Sequence, residues 1–447
     1  MIRRLALSPT AVLFLFLAVV ELVLLPFITE RDLFLFSQKF MLGILCLSTL
    51  VLGFRERFVF NPFLCFFLFP FSLLIYDSSV SFRFLTPLDP KVYALGVSSV
   101  IAFMLGVVFV TSKMEPEYMR VAHIAPRTPE MDRDYTKVGL ILVAMWFVSV
   151  VARKVLHIPI SFTAIFLQLS YVGMAFLLMS KRKSTYLLVV LIAVLSLAAS
   201  FRKTYFLMLF SLFFMSTLNG KFITRKKGCL ALGILFLGGV FMIFVAYPLK
   251  IYSTQYESLS GFEFSWENMN AIMEADSVRY GYMGSGFFNS LYLLRPYLTM
   301  TTEWTNLNYV LDTQRFHTYG MWFLKPILNI MQFNTENWSI YTLVPRSEYY
   351  NTFGLLTTQV KDFGFPGCVV LTFLEGLLTG WCFKRFREHA NSPIETVRYV
   401  YIATATFETF FSNHFLLGGI HIIFIVTWSL LWVLKKTNFQ LYEALHM

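Results

Sequence analysis

The sequence predicts an all-α polytopic membrane protein of about 12 transmembrane helices, both termini cytoplasmic, with one large extracytoplasmic loop carrying short helices. Three observations predict it. Apolar runs long enough to cross a bilayer recur through the 447 residues. Mean hydropathy is +0.64 and only 14% of residues are charged, where a soluble domain carries about 25%. Between Lys250 and Lys361 no apolar run reaches spanning length, and such an interruption occurs once. Too little polar surface exists to wet a globule of this size, so lipid must be the solvent for most of the chain.

The first helix follows Met1-Ile2-Arg3-Arg4, a start shared with signal peptides. Its apolar run, 12–28, is long, contains Glu21 and lacks a small-residue cleavage site, which predicts an uncleaved helix. Spans are predicted near 9–29, 35–53, 58–76, 92–112, 138–156, 160–180, 184–201, 204–219 and 228–248, then, after the interruption, near 364–383, 396–413 and 417–434. This divides the chain into helices one to nine over 1–249, the large loop over 250–361, and helices ten to twelve with a cytoplasmic tail over 362–447.

Charge sets the orientation. Arg3 and Arg4 precede helix one, Arg55 and Arg57 follow helix two, and Lys113, Arg120, Arg127, Arg133 and Lys137 follow helix four. Lys181, Arg182 and Lys183 follow helix six, and Lys221, Arg225, Lys226 and Lys227 follow helix eight. Lys384, Arg385 and Arg387 follow helix ten, and Lys435 and Lys436 follow helix twelve. Every second joint is basic, which places these joints in the cytoplasm and the large loop outside. The net charge of +11 therefore belongs to topology. No zinc-finger spacing or RNA-binding signature accompanies it, so nucleic acid is not an expected partner. The cysteines Cys46, Cys65, Cys229, Cys368 and Cys382 lie in or beside apolar runs, none in the loop. They read as packing residues.

Two basic pairs break the alternation. Arg153-Lys154 and Arg202-Lys203 sit at outer ends of helices five and seven. Each can snorkel to headgroups or face the bundle as an anion site. The second reading is preferred for Arg202 and Lys203, because Ser200-Phe201-Arg202-Lys203-Thr204 is a tight turn whose following helix start also favours an anion.

The loop is rich in aromatics, including Tyr280, Tyr292, Trp304, Tyr319, Trp322, Tyr349 and Tyr350, and in amides such as Asn268 and Asn306. Aromatic faces pack on sugar rings while amides bind sugar hydroxyls; the same residues equally build small cores and interfacial anchors. Arg279, Arg295 and Arg346 offer the two-pronged, permanently charged grip that phosphate requires, or are solvated surface charges. His317 is the loop's one histidine, a candidate base or a structural residue. Glu30-Arg31-Asp32, in the first outer joint, presents two carboxylates that can reach one divalent ion or remain solvated.

One stretch has a family resemblance. Thr357-Thr358-Gln359-Val360-Lys361-Asp362-Phe363-Gly364-Phe365-Pro366-Gly367 runs into an apolar helix with Glu375, Gly376 and Gly380. It resembles the Asp-Phe-Gly-x-x-Gly start of the helix after the big loop in bacterial oligosaccharide repeat-unit polymerases, the Wzy-like O-antigen polymerases. The turn at Ser200-Phe201-Arg202-Lys203 is similar to that family's small-residue-plus-Arg turn, with Phe201 interposed. The order of many spans, one late outer loop and a few more spans also matches.

The resemblance implies a GT-C-type glycosyltransferase at the periplasmic face of a bacterial inner membrane. It would polymerise undecaprenyl-diphosphate-linked oligosaccharide for lipopolysaccharide or a related polysaccharide, without a cofactor and with metal independence favoured. Arg202, Arg279 and Arg346 would stabilise the leaving diphosphate. Asp362 or His317, with Glu348 as another candidate, would orient or deprotonate the acceptor hydroxyl; Asp362 could instead cap the helix that follows it. Lys203, Arg153, Arg295, Tyr280, Tyr349 and Tyr350 would bind substrate. A flippase and a chain-length regulator are the implied protein partners. The competing readings are an O-antigen ligase, a metal-dependent GT-C enzyme, a lipid-linked-oligosaccharide flippase and a scaffold for envelope enzymes.

Overall fold

The computed structural model describes residues 8–56, 60–76, 87–112, 129–155, 168–180, 183–199, 291–313, 317–331, 354–389, 392–410 and 418–436, with isolated positions between 211 and 271 and at 413 and 415. All regular elements among them are helical. In chain order they are α1 (Pro9–Leu24), continued by a 3-10 helix over Leu25–Thr29, α2 (Arg31–Arg55), α3 (Pro62–Phe66), α4 (Leu68–Leu74) and α5 (Pro90–Thr111). Then come α6 (Pro129–Val155), α7 (Leu169–Met179), α8 (Lys183–Ala199), α9 (Leu291–Thr313), α10 (Met321–Ile330), α11 (Leu355–Glu388), α12 (Pro393–Phe407) and α13 (Gly418–Lys436).

Five helical segments among the described residues are long and apolar enough to cross a membrane: Pro9–Thr29, Arg31–Arg55, Pro90–Thr111, Pro129–Ala152 and Leu355–Glu388, the last of them kinked at Gly364. The chain is a helical membrane protein. Predicted helices near 204–219 and 228–248 lie almost wholly outside the described residues. Cys46, Cys65, Cys368 and Cys382 are buried and unpaired, as packing residues are; Cys229 is outside the described set.

Local chemistry explains where helices begin. Ser8, Asn61, Asp89 and Ser392 accept from first-turn N–H groups, and in each case proline follows at the first helical position, where its missing N–H costs nothing. The run predicted as one helix over 58–76 is two pieces, α3 and α4. Pro70 cannot donate to the Phe66 carbonyl, so the ladder breaks near Phe67. Helix α6 starts nine residues before its predicted apolar span. Its polar first turns, with Lys137 and Asp134 3.8 Å apart, extend the helix beyond the apolar run.

Helix α5 is buried almost all round and packs along α11. A Cβ at Gly376 would lie 2.2 Å from the Phe103 carbonyl oxygen, and one at Gly106 2.4 Å from that of Phe373. The two backbones touch, the close approach that small residues permit between membrane helices.

Of the described residues of 250–361, a stretch is built into the core. It contributes α9, a helix of 23 residues rather than a short loop helix, and Thr301–Leu307 of it are buried on every side. Trp304 donates from Nε1 to Ser72 Oγ at 2.9 Å, Tyr76 and Thr305 share a hydroxyl bond at 3.1 Å, and Asn308 accepts from the Asp89 N–H at 2.8 Å. A polar helix survives burial because partners are supplied. Trp304 is therefore a core residue, its ring tilted against that of Phe69, and not a sugar platform.

Candidate functional site

The site is built around a fold-back in α11. Gly364 has φ +67 and ψ −169, and Pro366 follows it, so the helix is two halves joined at a turn. In a straight helix Gln359 and Glu375 would be about 24 Å apart. Instead Gln359 Nε2 donates to Glu375 Oε1 at 2.8 Å. Gln359 Oε1 accepts from Thr372 Oγ1 at 3.0 Å and from Cys368 Sγ at 3.3 Å. The first half, 355–362, thus lies back along the second, held by a buried polar row.

Glu303 of α9 caps the start of this first half. Its Oε1 accepts from the Thr357 N–H at 2.9 Å, and Oε2 accepts from the Thr357 hydroxyl at 2.9 Å and from the Gly354 N–H. A carboxylate at a helix N-terminus satisfies orphan donors. Glu303 is fully buried, and that burial pushes its carboxyl up to about 7 against the opposing pull of the hydrogen bonds. On the other side, Asn413 Nδ2 donates to Thr358 Oγ1 at 2.7 Å.

The other end of the first half is capped by the segment 317–319. His317 Nδ1 meets the Val360 carbonyl at 3.1 Å, the Thr318 N–H donates to the Lys361 carbonyl at 3.0 Å, and the Tyr319 N–H to the Asp362 carbonyl at 2.9 Å. Three carbonyls left without intrahelical donors by the turn are thereby satisfied. The chain then passes through Tyr319 and Gly320, both with positive φ, into α10. There Asp362 accepts from the Thr318 hydroxyl, from the Trp322 N–H at 2.9 Å and from the Phe323 N–H at 2.8 Å.

Asp362 is therefore a cap, though of α10, some 40 residues earlier, and not of the helix that follows it. Both its oxygens are engaged by donors, which leaves it unsuited to take a proton from an acceptor hydroxyl. Replacing Asp362 with asparagine turns an N–H2 group toward the α10 N–H groups and should cost about 1–3 kcal/mol. Thermal unfolding in detergent measures this; an unchanged midpoint would show that the carboxylate has no capping role.

His317 is held against the same turn. A carbonyl only accepts, so Nδ1 must carry the proton, and a neutral ring then holds its lone pair at Nε2. That nitrogen would stand 3.1 Å from a Cβ added to Gly364. Glycine at 364 thus serves both the left-handed φ and the room for the imidazole. The turn joins His317 and Asp362 in one small unit.

The remaining predicted residues divide plainly. Arg202, Lys203, Arg279, Tyr280, Arg346, Glu348, Tyr349 and Tyr350 lie outside the described residues. Arg153 falls in the last turn of α6 and Arg295 in the second turn of α9. Glu30 and Asp32 stand exposed at the start of α2, and among the described residues no three His, Cys, Asp or Glu side chains gather to hold a metal ion. Glu303, Gln359 and Glu375 were not singled out by sequence reasoning as site residues. The available signal was an acid inside Thr301-Thr302-Glu303-Trp304-Thr305-Asn306, too polar a helix to bury unless its partners are built in.

The chain matches no family profile, no curated protein and no solved structure.

Proposed function

We propose that this chain is a glycosyltransferase that polymerises undecaprenyl-diphosphate-linked oligosaccharide repeat units at the periplasmic face of a bacterial inner membrane. The observation that carries the reading is the turn at Asp362-Phe363-Gly364. The stretch that resembles the polymerase motif is also the point where a buried helix folds back and meets His317. In the proposed topology twelve helices cross the membrane, both termini are cytoplasmic, and this turn lies at the outer end of the bundle. Such a site meets a donor whose tail is in lipid, whose diphosphate is at the interface and whose sugars are in water.

In the mechanism that follows, the diphosphate is the leaving group, and Arg202, Arg279 and Arg346 supply the positive charge that stabilises it. His317, fixed as the Nδ1–H tautomer by Val360, offers Nε2 to the acceptor hydroxyl. Asp362 positions it indirectly, by anchoring the 317–323 segment. The flippase and chain-length regulator are the partners this role requires.

The test is a glycan ladder. In a strain lacking the chain, Arg202→Ala should fail to restore long polymer while membrane levels of the protein stay normal, leaving single repeats on the lipid carrier. Ladders of wild-type length from this variant would remove Arg202 from the mechanism. Finished polymer left unattached in the deletion strain would indicate a ligase instead.

A further inference from the structure

The face of α10 that turns away from the bundle is apolar. Phe323, Leu324, Ile327 and Met331 are between 38% and 62% exposed. Their spacing of i, i+1, i+4 and i+8 confines them to about 100° of arc, a stripe and not a scatter. The N-terminus of the helix is pinned by Asp362, so the stripe has a fixed direction.

The surface it joins identifies what covers it. The Phe323 ring meets the His421 ring edge-on, centroids 6.1 Å apart. On α13, His421 begins a stripe at i, i+4, i+7 and i+11 with Ile425, Trp428 and Trp432, the last three all exposed. In a helix this apolar, exposed Ile and Trp face acyl chains. The stripe of α10 therefore continues the exposed apolar stripe of α13 at its Gly418 end.

Cations flank the combined surface at both ends. Lys436 Nζ lies 4.1 Å from the Trp432 ring centre, and Lys325 Nζ lies 4.6 Å from that of Trp322. At the Trp432 end the exposed ring paired with Lys is the composition of a membrane–water boundary. At the other end the Trp322 indole nitrogen is buried, and the belt is built on Lys325, on the side of α10 opposite the stripe, from where its ammonium can reach phosphate. Tyr319, highly exposed just before α10, extends the second belt.

We infer that α10 is an interfacial helix, its Phe323–Ile327–Met331 stripe inserted among phospholipid acyl chains in the leaflet at the Gly418 end of α13, with Lys325 at the headgroups. The helix thereby fixes the depth of the Gly364 turn relative to the bilayer. This inference does not depend on the glycosyltransferase reading.

Nitroxide labels at Ile327→Cys, Met331→Cys and Lys325→Cys test it, each in the full chain with Cys229→Ser, in phospholipid nanodiscs. The three positions lie on α10 or immediately after it, none of them in the core, and an unaltered size-exclusion profile confirms each fold. At 327 and 331, collisions with oxygen should exceed those with a water-soluble nickel chelate, at a depth of roughly 5–10 Å below the headgroup boundary. At 325 the chelate should gain relative to oxygen. Chelate dominance at 327 and 331 would place the stripe in water, and poor access of both reagents would mean that protein, such as a second copy, covers it. Either result overturns the inference.

Discussion

Replacing Gly376 with alanine is expected to disrupt the contact on which the bundle is built. The added Cβ would lie 2.2 Å from the Phe103 oxygen, 2.9 Å from its carbonyl carbon and 3.0 Å from its Cα. All three are backbone atoms of α5, so no rotamer change relieves the overlap. The opposite face is equally rigid, since a Cβ at Gly106 would meet the Phe373 oxygen at 2.4 Å and the Leu377 nitrogen at 2.7 Å. Two helices would have to separate, and overpacking of this kind costs about 3 kcal/mol. By contrast, Gly43 has nothing within 4 Å of its Cβ position, so Gly43→Ala should gain up to about 1 kcal/mol from helix propensity alone. Melting of both variants in detergent provides the comparison. If Gly376→Ala melts with Gly43→Ala, the backbones of α5 and α11 are not in contact.

The helices were legible where lipid dictates composition. Apolar runs mark α1, α2, α5 and the second half of α11 because a span must be apolar whatever its neighbours. Helix α9 was not legible as core for the converse reason. Thr305 and Asn308 look like surface residues, and the Tyr76 hydroxyl and the Asp89 N–H supply partners that make their burial tolerable. Trp304 shows the same limit: its composition fits a sugar platform and a core equally, and the Ser72 hydroxyl decides. At the site, Asp362 and His317 were visible as residue types. Their roles were not, because the α10 N-terminus and the Val360 carbonyl lie some 40 residues away in sequence, and local patterns carry no information about pairs at that distance. The break at Gly364-Phe365-Pro366 could be read as a helix start, since glycine and proline mark a boundary. That the preceding residues fold back as helix could not.

Glu303 makes stability depend on pH in a direction opposite to that of most acids. A surface carboxylate in an ion pair is held below its ordinary value and strengthens the fold as pH rises. Glu303 is surrounded by the Gly354 and Thr357 donors yet fully buried, and burial raises it from 4.5 to about 7. A carboxyl whose folded value exceeds its unfolded one binds its proton more tightly in the folded protein. Its contribution is complete below pH 4.5, declines as pH rises, and is lost once pH passes about 7. The span corresponds to about 3 kcal/mol. The melting midpoint should therefore fall between pH 5 and pH 8. Glu303→Gln removes the titrating group and should flatten that fall. It should also melt below wild type at pH 5, because the amide N–H2 must face either the Gly354 N–H or a Thr357 donor. Equal pH slopes in the two proteins would mean that the charge on Glu303 is compensated inside the bundle and that its cap on the 355–362 helix is a carboxylate at every pH tested.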